Sequence, residues 1–142
     1  MWTVQQILHA KPGPLLSISP RATVFDALTV MAEHDIGALA VLDRGELVGM
    51  FSERDYARKV ILHGKSSKEI IVADIMSTPV LTVRPEDTVH DCMALMTGNR
   101  IRHLPVAGEA GPIGMVSIGD VVKALLTEQA FTIEQLEHYI TG

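Results

Sequence analysis

The sequence predicts an α/β (α+β) fold in which two tandem β-α-β-β-α repeats pack sheet to sheet, with a short helix at each end. The first observation behind this prediction is an internal repeat, since GMFSERD at residues 49–55 returns as GMVSIGD at residues 114–120. The second is composition, because the 142-residue chain is 47% hydrophobic but only 4% aromatic. Its core must therefore be aliphatic, which suits Val- and Ile-rich strands covered by helices.

The two copies align without a gap when the sequence is shifted by 65 residues, Gly49 onto Gly114. Apolar and polar positions agree together, which indicates a duplication rather than chance. One copy of roughly 50 residues would bury too little surface to be stable alone, so the copies are expected to share a core. The matched pairs are Leu16 with Leu81, Pro20 with Pro85, Thr23 with Thr88, Val24 with Val89, Asp26 with Asp91, Met31 with Met96, Ile36 with Ile101, Leu39 with Leu104, Val41 with Val106, Gly49 with Gly114, Met50 with Met115, Ser52 with Ser117 and Asp55 with Asp120.

The first strand and first helix of each copy have distinct signals. LLSISP and PVLTVRP are short β-prone runs that end at a proline. Thr23 and Thr88 then suit helix N-caps, because a threonine hydroxyl accepts a hydrogen bond from an N–H of the first turn. Apolar residues follow at helical spacing, namely Val24, Ala27, Leu28 and Met31 in the first copy and Val89, Cys92, Met93 and Met96 in the second.

The second half of each copy predicts a hairpin of buried strands and then another helix. The apolar runs 38–42 and 104–107 lead into the turn-forming sequences DRGE and GEAGP. LVGMF and IGMV predict the return strands. The next helix is expected to begin just after Ser52 in the first copy and just after Ser117 in the second.

Segments outside the copies complete the predicted organisation. TVQQILHA at 3–10 predicts a leading helix, and IVADIM predicts a short helix before the second copy. Thr132 with Gln135 fits a capping box for a terminal helix, whose apolar stripe is expected to cover the module itself or a second subunit. The stripe is Ile133, Leu136 and Ile140. The predicted divisions are a lead-in at 1–12, repeat one at 13–65, a linker at 66–77, repeat two at 78–127 and a C-terminal helix at 128–142.

Charge and composition disfavour several classes of protein. The net charge of −5 is unsuited to non-specific nucleic-acid binding, which needs a basic face. No apolar run approaches the roughly 18 residues that cross a bilayer, and the first residues lack signal-peptide features, so a cytoplasmic protein is expected. Cys92 is the only cysteine, which excludes an internal disulfide, and its place on a helical apolar stripe favours a packed thiol.

The sequence contains no recognisable catalytic or metal motif. Gly64-Lys65-Ser66 imitates the end of a P-loop, but Lys59 stands at the upstream glycine position. The six histidines show no H-E-x-x-H or other tight ligand spacing, so a metal site is not expected. No set of residues forms an acid–base pair, and an enzyme is therefore not expected.

The repeated Ser-x-x-Asp has two interpretations. In the structural one, Ser52 and Ser117 cap helices, and Asp55 and Asp120 complete capping boxes. In the functional one, the same strand-to-helix corner offers backbone N–H groups to a phosphate, and the aspartate accepts hydrogen bonds from vicinal ribose hydroxyls. The pattern alone favours capping, but one residue can serve both purposes.

Several stretches together resemble the cystathionine β-synthase (CBS) domain family. They are the β-α-β-β-α repeat, IRHLPV at 101–106 and the G-h-x-S-x-x-D sequence that closes each copy. GMFSERDYARKV, VSIGDVVK and FTIEQLEHYI are similar to small stand-alone bacterial proteins with a CBS pair, called a Bateman module. The resemblance covers roughly residues 10–127. It implies a pseudo-twofold arrangement of the repeats, two clefts between them that often bind adenosyl ligands, and homodimerisation.

The resemblance also assigns roles to single residues. Asp55 and Asp120 match the aspartate that holds ribose hydroxyls, and Ser52 and Ser117 match a residue near ribose or phosphate. The other expected nucleotide-binding positions are Leu15, Thr78 and Val80 ahead of the first strands, where backbone commonly contacts adenine, and Gly37, Ala38, Ile101, Arg102 and His103 at the start of the second strands.

The copies differ at the start of the second strand, where Arg102 and His103 match Gly37 and Ala38. Arginine and histidine can neutralise phosphate, whereas glycine and alanine mainly leave room. Because relatives use a basic residue here on phosphate held mainly by the other repeat, Arg102 or His103 is expected to serve the Asp55 cleft. A solvated Arg102 and a partly buried His103 with a backbone partner stay open as alternatives.

The copies also differ between the serine and the aspartate, where Glu53-Arg54 matches Ile118-Gly119. Arg54 is expected to contribute to ligand binding at one of the two sites. Gly119, the matched residue of the second copy, is also an expected nucleotide-binding position. The two clefts are therefore not expected to bind alike.

The expected function is that of a non-enzymatic sensor that binds an adenine nucleotide, with AMP foremost and ADP, ATP, NAD(H) or S-adenosylmethionine as further ligands. No catalytic cofactor is expected, and the regulated protein partner stays open. The alternative is a structural or oligomerisation module with vestigial clefts, because capping alone explains the Ser-x-x-Asp pattern.

Overall fold

The computed structural model describes residues 1–141, and its elements follow the predicted order. The helices within this part of the chain are α1 (Val4–Ala10), α2 (Val24–His34), α3 (Glu53–Lys59), α4 (Val89–Asn99) and α5 (Ile118–Thr141). The strands are β1 (Ser17–Ile18), β2 (Ala38–Asp43), β3 (Glu46–Ser52), β4 (His103–Gly108) and β5 (Gly111–Ser117). Short 3₁₀ turns lie at Ile61–His63 and Val72–Asp74, the second where a short linker helix was expected.

The chain forms two compact units. Unit 1 contains residues 1–13, 82–108 and the chain from 113 onward, and unit 2 contains residues 14–81 and 109–112. Each unit therefore combines most of one repeat with the segment that precedes the other repeat. We call these the lead-in segments, residues 1–13 in unit 1 and residues 66–81 in unit 2.

Unit 2 is built on a three-stranded sheet in the order β1-β2-β3. The first pair is parallel, with Ser17 opposite Ala40, and the second is antiparallel, with a register shift between Val41 and Leu42. Alternate residues of β3 enter the core, where Phe51 is completely buried. The core consists of Val24, Ala27, Met31, Leu39, Val41, Phe51, Val60, Val72 and Ile75.

Unit 1 is built on the β4-β5 pair. The predicted first strand, PVLTVRP, forms only one parallel bridge, between Val83 and Val106. Pro79 and Pro85 lie at the two ends of this segment, and Val83 is the residue that pairs. Val83 is nevertheless buried, so this short segment still closes the core. The core consists of Val4, Ile7, Val83, Val89, Cys92, Met96, Leu104, Val106, Val116, Val121 and Ala124.

The predicted helix N-caps are confirmed. Thr23 Oγ1 accepts a hydrogen bond from Asp26 N–H at 3.1 Å, and Thr88 Oγ1 accepts one from Asp91 N–H at 3.2 Å. Thr88 is part of a full capping box, as is Thr3 at the start of α1, which the sequence reading missed. The buried side chains that follow Thr23 and Thr88 match the predicted helical spacing.

The C-terminal helix differs from the prediction. Thr132 does not cap a separate helix, because α5 runs without a break from Ile118 to Thr141. The reason is that no Gly or Pro lies between Gly119 and Thr141, and an interior threonine costs a helix only a fraction of a kcal/mol. Gly142, the last residue of the predicted C-terminal segment, lies outside the described residues.

The two lead-in segments dock in equivalent ways, each within its own unit. In unit 1, Val4 N–H donates to Asp87 O at 2.8 Å, and in unit 2 Val72 N–H donates to Ala22 O at 2.8 Å. Asp87 falls on Ala22 under the 65-residue shift. The duplication therefore includes the way in which each repeat is completed by a lead-in segment.

The repeated glycine of the motif lies directly beneath these lead-in segments. A Cβ at Gly114 would lie 2.7 Å from Leu8 Cδ2, and a Cβ at Gly49 would lie 2.5 Å from Met76 Sδ. Both distances are shorter than a nonbonded contact allows. A side chain at either position would therefore force Leu8 or Met76 to shift, because that neighbouring side chain fills the space beside the glycine.

Candidate functional site

The Ser52–Asp55 corner of unit 2 is a complete capping box at the start of α3. Ser52 Oγ accepts from Asp55 N–H at 3.2 Å, and Asp55 Oδ2 accepts from Ser52 N–H at 3.0 Å and from Ser52 Oγ at 3.1 Å. The structural interpretation of this motif is therefore confirmed for the first copy.

The second oxygen of Asp55 also has internal partners. Oδ1 accepts from Ser77 Oγ at 2.7 Å and lies 3.0 Å from Lys59 Nζ. Asp55 is 6% exposed, and within residues 1–141 it is the one charged residue that is buried. Burial of a carboxylate is tolerated when its hydrogen bonds are satisfied, as they are here by Ser52, Ser77 and Lys59.

The Ser117–Asp120 corner of unit 1 repeats the capping geometry but not the surroundings. Asp120 N–H donates to Ser117 Oγ at 3.1 Å, and Asp120 Oδ2 accepts from Ser117 N–H at 2.8 Å. Oδ2 also accepts from Lys11 Nζ at 2.7 Å, and the Asp120 side chain is 21% exposed. Within residues 1–141, the contacts of Asp120 leave its Oδ1 without a hydrogen-bond donor.

Two basic side chains lie near Asp120, namely Lys11 in direct contact and His103 within electrostatic range. Burial raises the pKa of this carboxyl, but hydrogen bonds from Lys11 and Ser117 outweigh it and hold the pKa below its usual value. Burial lowers the pKa of His103, and Lys11 and Arg102 lower it further against the opposing effect of Asp120. The His103 ring is therefore neutral at pH 7, while Lys11 and Arg102 carry positive charge beside it.

The remaining expected site residues divide between the two units. In unit 1, Ile101 is half-buried just before β4, Arg102 O accepts from Ile118 N–H at 2.8 Å, and Gly119 is exposed in the first turn of α5. The expectation that Arg102 or His103 serves the Asp55 cleft stays a prediction, although both belong to the unit that contains Asp120.

The unit 2 positions lie around the start of α3 and the ends of the strands. Gly37 O accepts from Glu53 N–H at 3.1 Å, and Ala38 pairs with Ser52 across β2 and β3. Leu15 and Val80 are half-buried, and Arg54 and Thr78 are exposed. Whether these residues contact a ligand stays a prediction.

Sequence reasoning missed the internal partners of both aspartates. The contact of Lys59 with Asp55 could have been predicted, because residues four apart on a helix lie next to each other on its surface. Ser77 and Lys11 were not detectable, because each lies in a lead-in segment far from its aspartate in sequence. An open depression of about 520 Å³ along α1, lined by Trp2, Thr3, Gln5, Gln6, His9 and Ala10, contains none of the expected site residues.

The CBS domain family model matches residues 4–62 and 72–127. The chain belongs to the CBS domain family. Both matches begin within a lead-in segment, at residues 4 and 72. The matched ranges account for most of the chain and include both Ser-x-x-Asp corners.

Named CBS-domain proteins are similar to this chain over most of its length. The CBS domain-containing protein CBSX3, mitochondrial, of Arabidopsis thaliana is 44% identical over 149 residues, covering 99% of this chain and 72% of that protein. A solved CBS-domain protein from Burkholderia ambifaria is 46% identical with a TM-score of 0.85, covering 89% of this chain and 96% of that one. A hexameric CBS-CP12 protein from cyanobacteria is 31% identical with a TM-score of 0.76, covering 86% of this chain and 70% of that one.

Membership in this family indicates a regulatory module, and CBS domains often bind adenine nucleotides and oligomerise. In residues 1–141 no three His, Cys, Asp or Glu side chains are grouped as metal ligands would be. Over the same residues, no helix combines the length and the apolar character that crossing a bilayer requires.

Proposed function

We propose that this CBS protein is a non-enzymatic regulatory module that binds an adenine nucleotide, AMP foremost, and that the Asp120 corner holds the ribose. The observation that carries the proposal is the unused Oδ1 of Asp120, a partly exposed carboxylate oxygen at the start of α5. A carboxylate can accept hydrogen bonds from two vicinal hydroxyls, which is how acidic residues hold ribose.

The charges around this corner favour a phosphorylated ligand over a neutral one. Lys11 and Arg102 are cationic. At the start of α5 the N–H groups of Ile118 and Asp120 already donate internally, which leaves the N–H of Gly119 for an anionic group. Neutral His103 adds a ring N–H or an acceptor nitrogen but no charge. A ligand with a diol and an anionic group matches this combination.

The Asp55 corner is a weaker candidate for the same task. Both carboxylate oxygens of Asp55 already accept internal hydrogen bonds, and the residue is buried. A ribose there would have to displace Ser77 or Lys59 from a satisfied carboxylate. We therefore propose that the two corners differ, with capping as the main task of Asp55.

Asp120→Asn is expected to weaken AMP binding by roughly 10- to 100-fold, the loss that follows from a charge-assisted hydrogen bond of about 1.5–3 kcal/mol. Isothermal titration calorimetry of AMP, ATP, NADH and S-adenosylmethionine measures the change. Asp91→Asn is the matched control, because Asp91 completes the same capping box on α4. Unchanged AMP affinity in Asp120→Asn, or no binding of any of the four ligands to folded wild-type protein, would refute the proposal.

We also propose a homodimer in which α5 pairs with α5 of a second copy. Val122, Leu126, Ile133, Leu136 and Ile140 are 44–80% exposed, and with Gln129 they follow at alternating intervals of four and three residues. This 3.5-residue period is that of a coiled-coil seam, which is complementary to a copy of itself. A polar residue within such a seam, here Gln129, fixes the register of the two helices.

Leu136→Glu is expected to convert the dimer to a monomer, because it places a charge within the apolar seam. Phe131→Glu is the control, since Phe131 is 62% exposed on the same helix but lies outside the seam. Light scattering after size-exclusion chromatography distinguishes the two species. If both variants have the same oligomeric state, the helices do not pair through this face. A dimer that forms only with nucleotide bound would contradict a purely structural role for the module.

A further inference from the structure

Lys11 closes the Asp120 corner in the structure described here. Its ammonium donates to Asp120 Oδ2 at 2.7 Å and to the backbone oxygen of Met115 at 3.1 Å. The Lys11 side chain is 43% exposed, so the pair is reached by solvent. Exposed ion pairs of this kind contribute little to stability, which means that a competing ligand displaces them easily.

The backbone of Lys11 is held while its side chain can move. The preceding helix α1 is anchored by buried Val4 and Ile7 and by Leu8 above Gly114. Lys11 itself terminates α1, and its N–H donates to Leu8 O at 3.3 Å. A lysine has a flexible four-carbon stem and three donors on its ammonium, so its head can exchange partners without movement of the helix.

We propose that Lys11 is the residue that makes this corner selective for phosphorylated ligands: its ammonium occupies Asp120 when the corner is empty and moves to the phosphate when ribose hydroxyls take the carboxylate. This inference rests on the proposed binding of a nucleotide at Asp120. A neutral nucleoside displaces Lys11 and gives it no new acceptor. A nucleoside monophosphate displaces Lys11 and supplies an anionic acceptor close to the ribose.

Unit 2 contains a lysine that is not suited to the same exchange. Lys59 lies 3.0 Å from Asp55 Oδ1 and also donates to Ile75 O at 3.0 Å, and it follows the aspartate by one turn of the same helix. Asp55 keeps Ser77 and Ser52 as donors if Lys59 leaves. Lys11 therefore differs from Lys59, because it comes from a separate segment and shares its carboxylate oxygen only with a capping N–H.

The test compares adenosine with AMP in Lys11→Met and in wild-type protein. The backbone amides of Ser117 and Gly119, followed by ¹⁵N NMR, report binding at this corner rather than at Asp55. We expect Lys11→Met to bind adenosine as well as wild type or a few-fold more tightly, because the competing ion pair is lost. We expect the same variant to bind AMP about tenfold more weakly, because the phosphate loses a charged donor.

Two further variants complete the test. Lys11→Arg keeps the charge and is expected to keep most of the preference for AMP over adenosine. Lys123→Met removes an exposed lysine of α5 in the same unit and is expected to change neither affinity. Circular dichroism and thermal melting establish that each variant folds as wild type does.

The outcomes separate the role of Lys11 from nucleotide binding itself. If wild type binds both ligands and Lys11→Met changes their affinities by the same factor, or not at all, Lys11 is no selectivity residue although the proposed function stands. If wild type shifts neither amide with millimolar adenosine or AMP, the proposed function fails and this inference fails with it.

Discussion

Asp55→Ala is expected to destabilise the protein by about 3 kcal/mol, whereas Asp120→Ala is expected to cost about 1 kcal/mol or less. Asp55 is buried, and its removal leaves Ser52 N–H and Ser77 Oγ without their acceptor and takes one acceptor from the Lys59 ammonium. Asp120 is partly exposed, so water replaces it as acceptor for Lys11. The motif is the same in both copies, and the difference comes from burial and from the partners of the second oxygen.

Urea unfolding followed by far-UV circular dichroism measures both changes in free energy. The matched control is the pair itself, because Asp55 and Asp120 occupy the same position of the same motif. Equal costs for the two variants would contradict the distinct roles assigned to the corners. A large cost for Asp120→Ala together with unchanged nucleotide binding would favour the alternative of a purely structural module.

Gly114→Ala is expected to cost about 1–3 kcal/mol, the usual range for an extra methyl group in a filled core. The added Cβ would lie 2.7 Å from Leu8 Cδ2 and 3.1 Å from Leu8 Cδ1, so α1 or its side chain must shift. In the double variant Gly114→Ala/Leu8→Ala the clash is gone, and the total cost is expected to be smaller than the sum of the single costs. Thermal melting of the four proteins in this cycle gives the coupling energy.

Gly98→Ala is the control for this cycle, because a Cβ there meets no atom within 4 Å and the residue is helical. It is expected to stabilise the protein by about 0.5–1 kcal/mol, since alanine is the better helix former. The pair Gly49 and Met76 in unit 2 provides an independent repetition of the experiment. If the losses in unfolding free energy are additive in both pairs, then Leu8 and Met76 of the lead-in segments do not pack against these glycines.

The local features of the fold were predictable because they depend on short stretches of sequence. Thr23 and Thr88 cap their helices as predicted, and the runs at 38–42 and 104–107 lie in the strands β2 and β4. The Ser52–Asp55 capping box follows from three-residue spacing alone. Duplication strengthened each of these predictions, since each signal appeared twice.

The predictions that were wrong or missing concern features that depend on long-range packing, or on an element boundary that no residue in the sequence signals. No helix-breaking residue separates the last helix of the second repeat from the predicted terminal helix. The prediction that Thr132 caps a new helix was therefore wrong. The inequality of the two aspartates could not be predicted, because it arises from Ser77 and Lys11, which tertiary packing brings to the motif. The sequence predicted the two corners but not which aspartate keeps a carboxylate oxygen without an internal donor among the described residues.

Each lead-in segment docks in the unit of the other repeat, and this arrangement affects how the protein folds during synthesis on the ribosome. All of unit 2 except its short 109–112 segment is made by residue 81, so that unit can begin to fold while the second repeat is still being translated. Unit 1 cannot, because Val4 and Ile7, among its earliest residues, belong to a core that also needs Val116 and Val121. The first helix therefore emerges with its apolar face exposed and stays so until the last strand and helix are made. Translation speed after residue 81 then decides how long that face is open to other proteins.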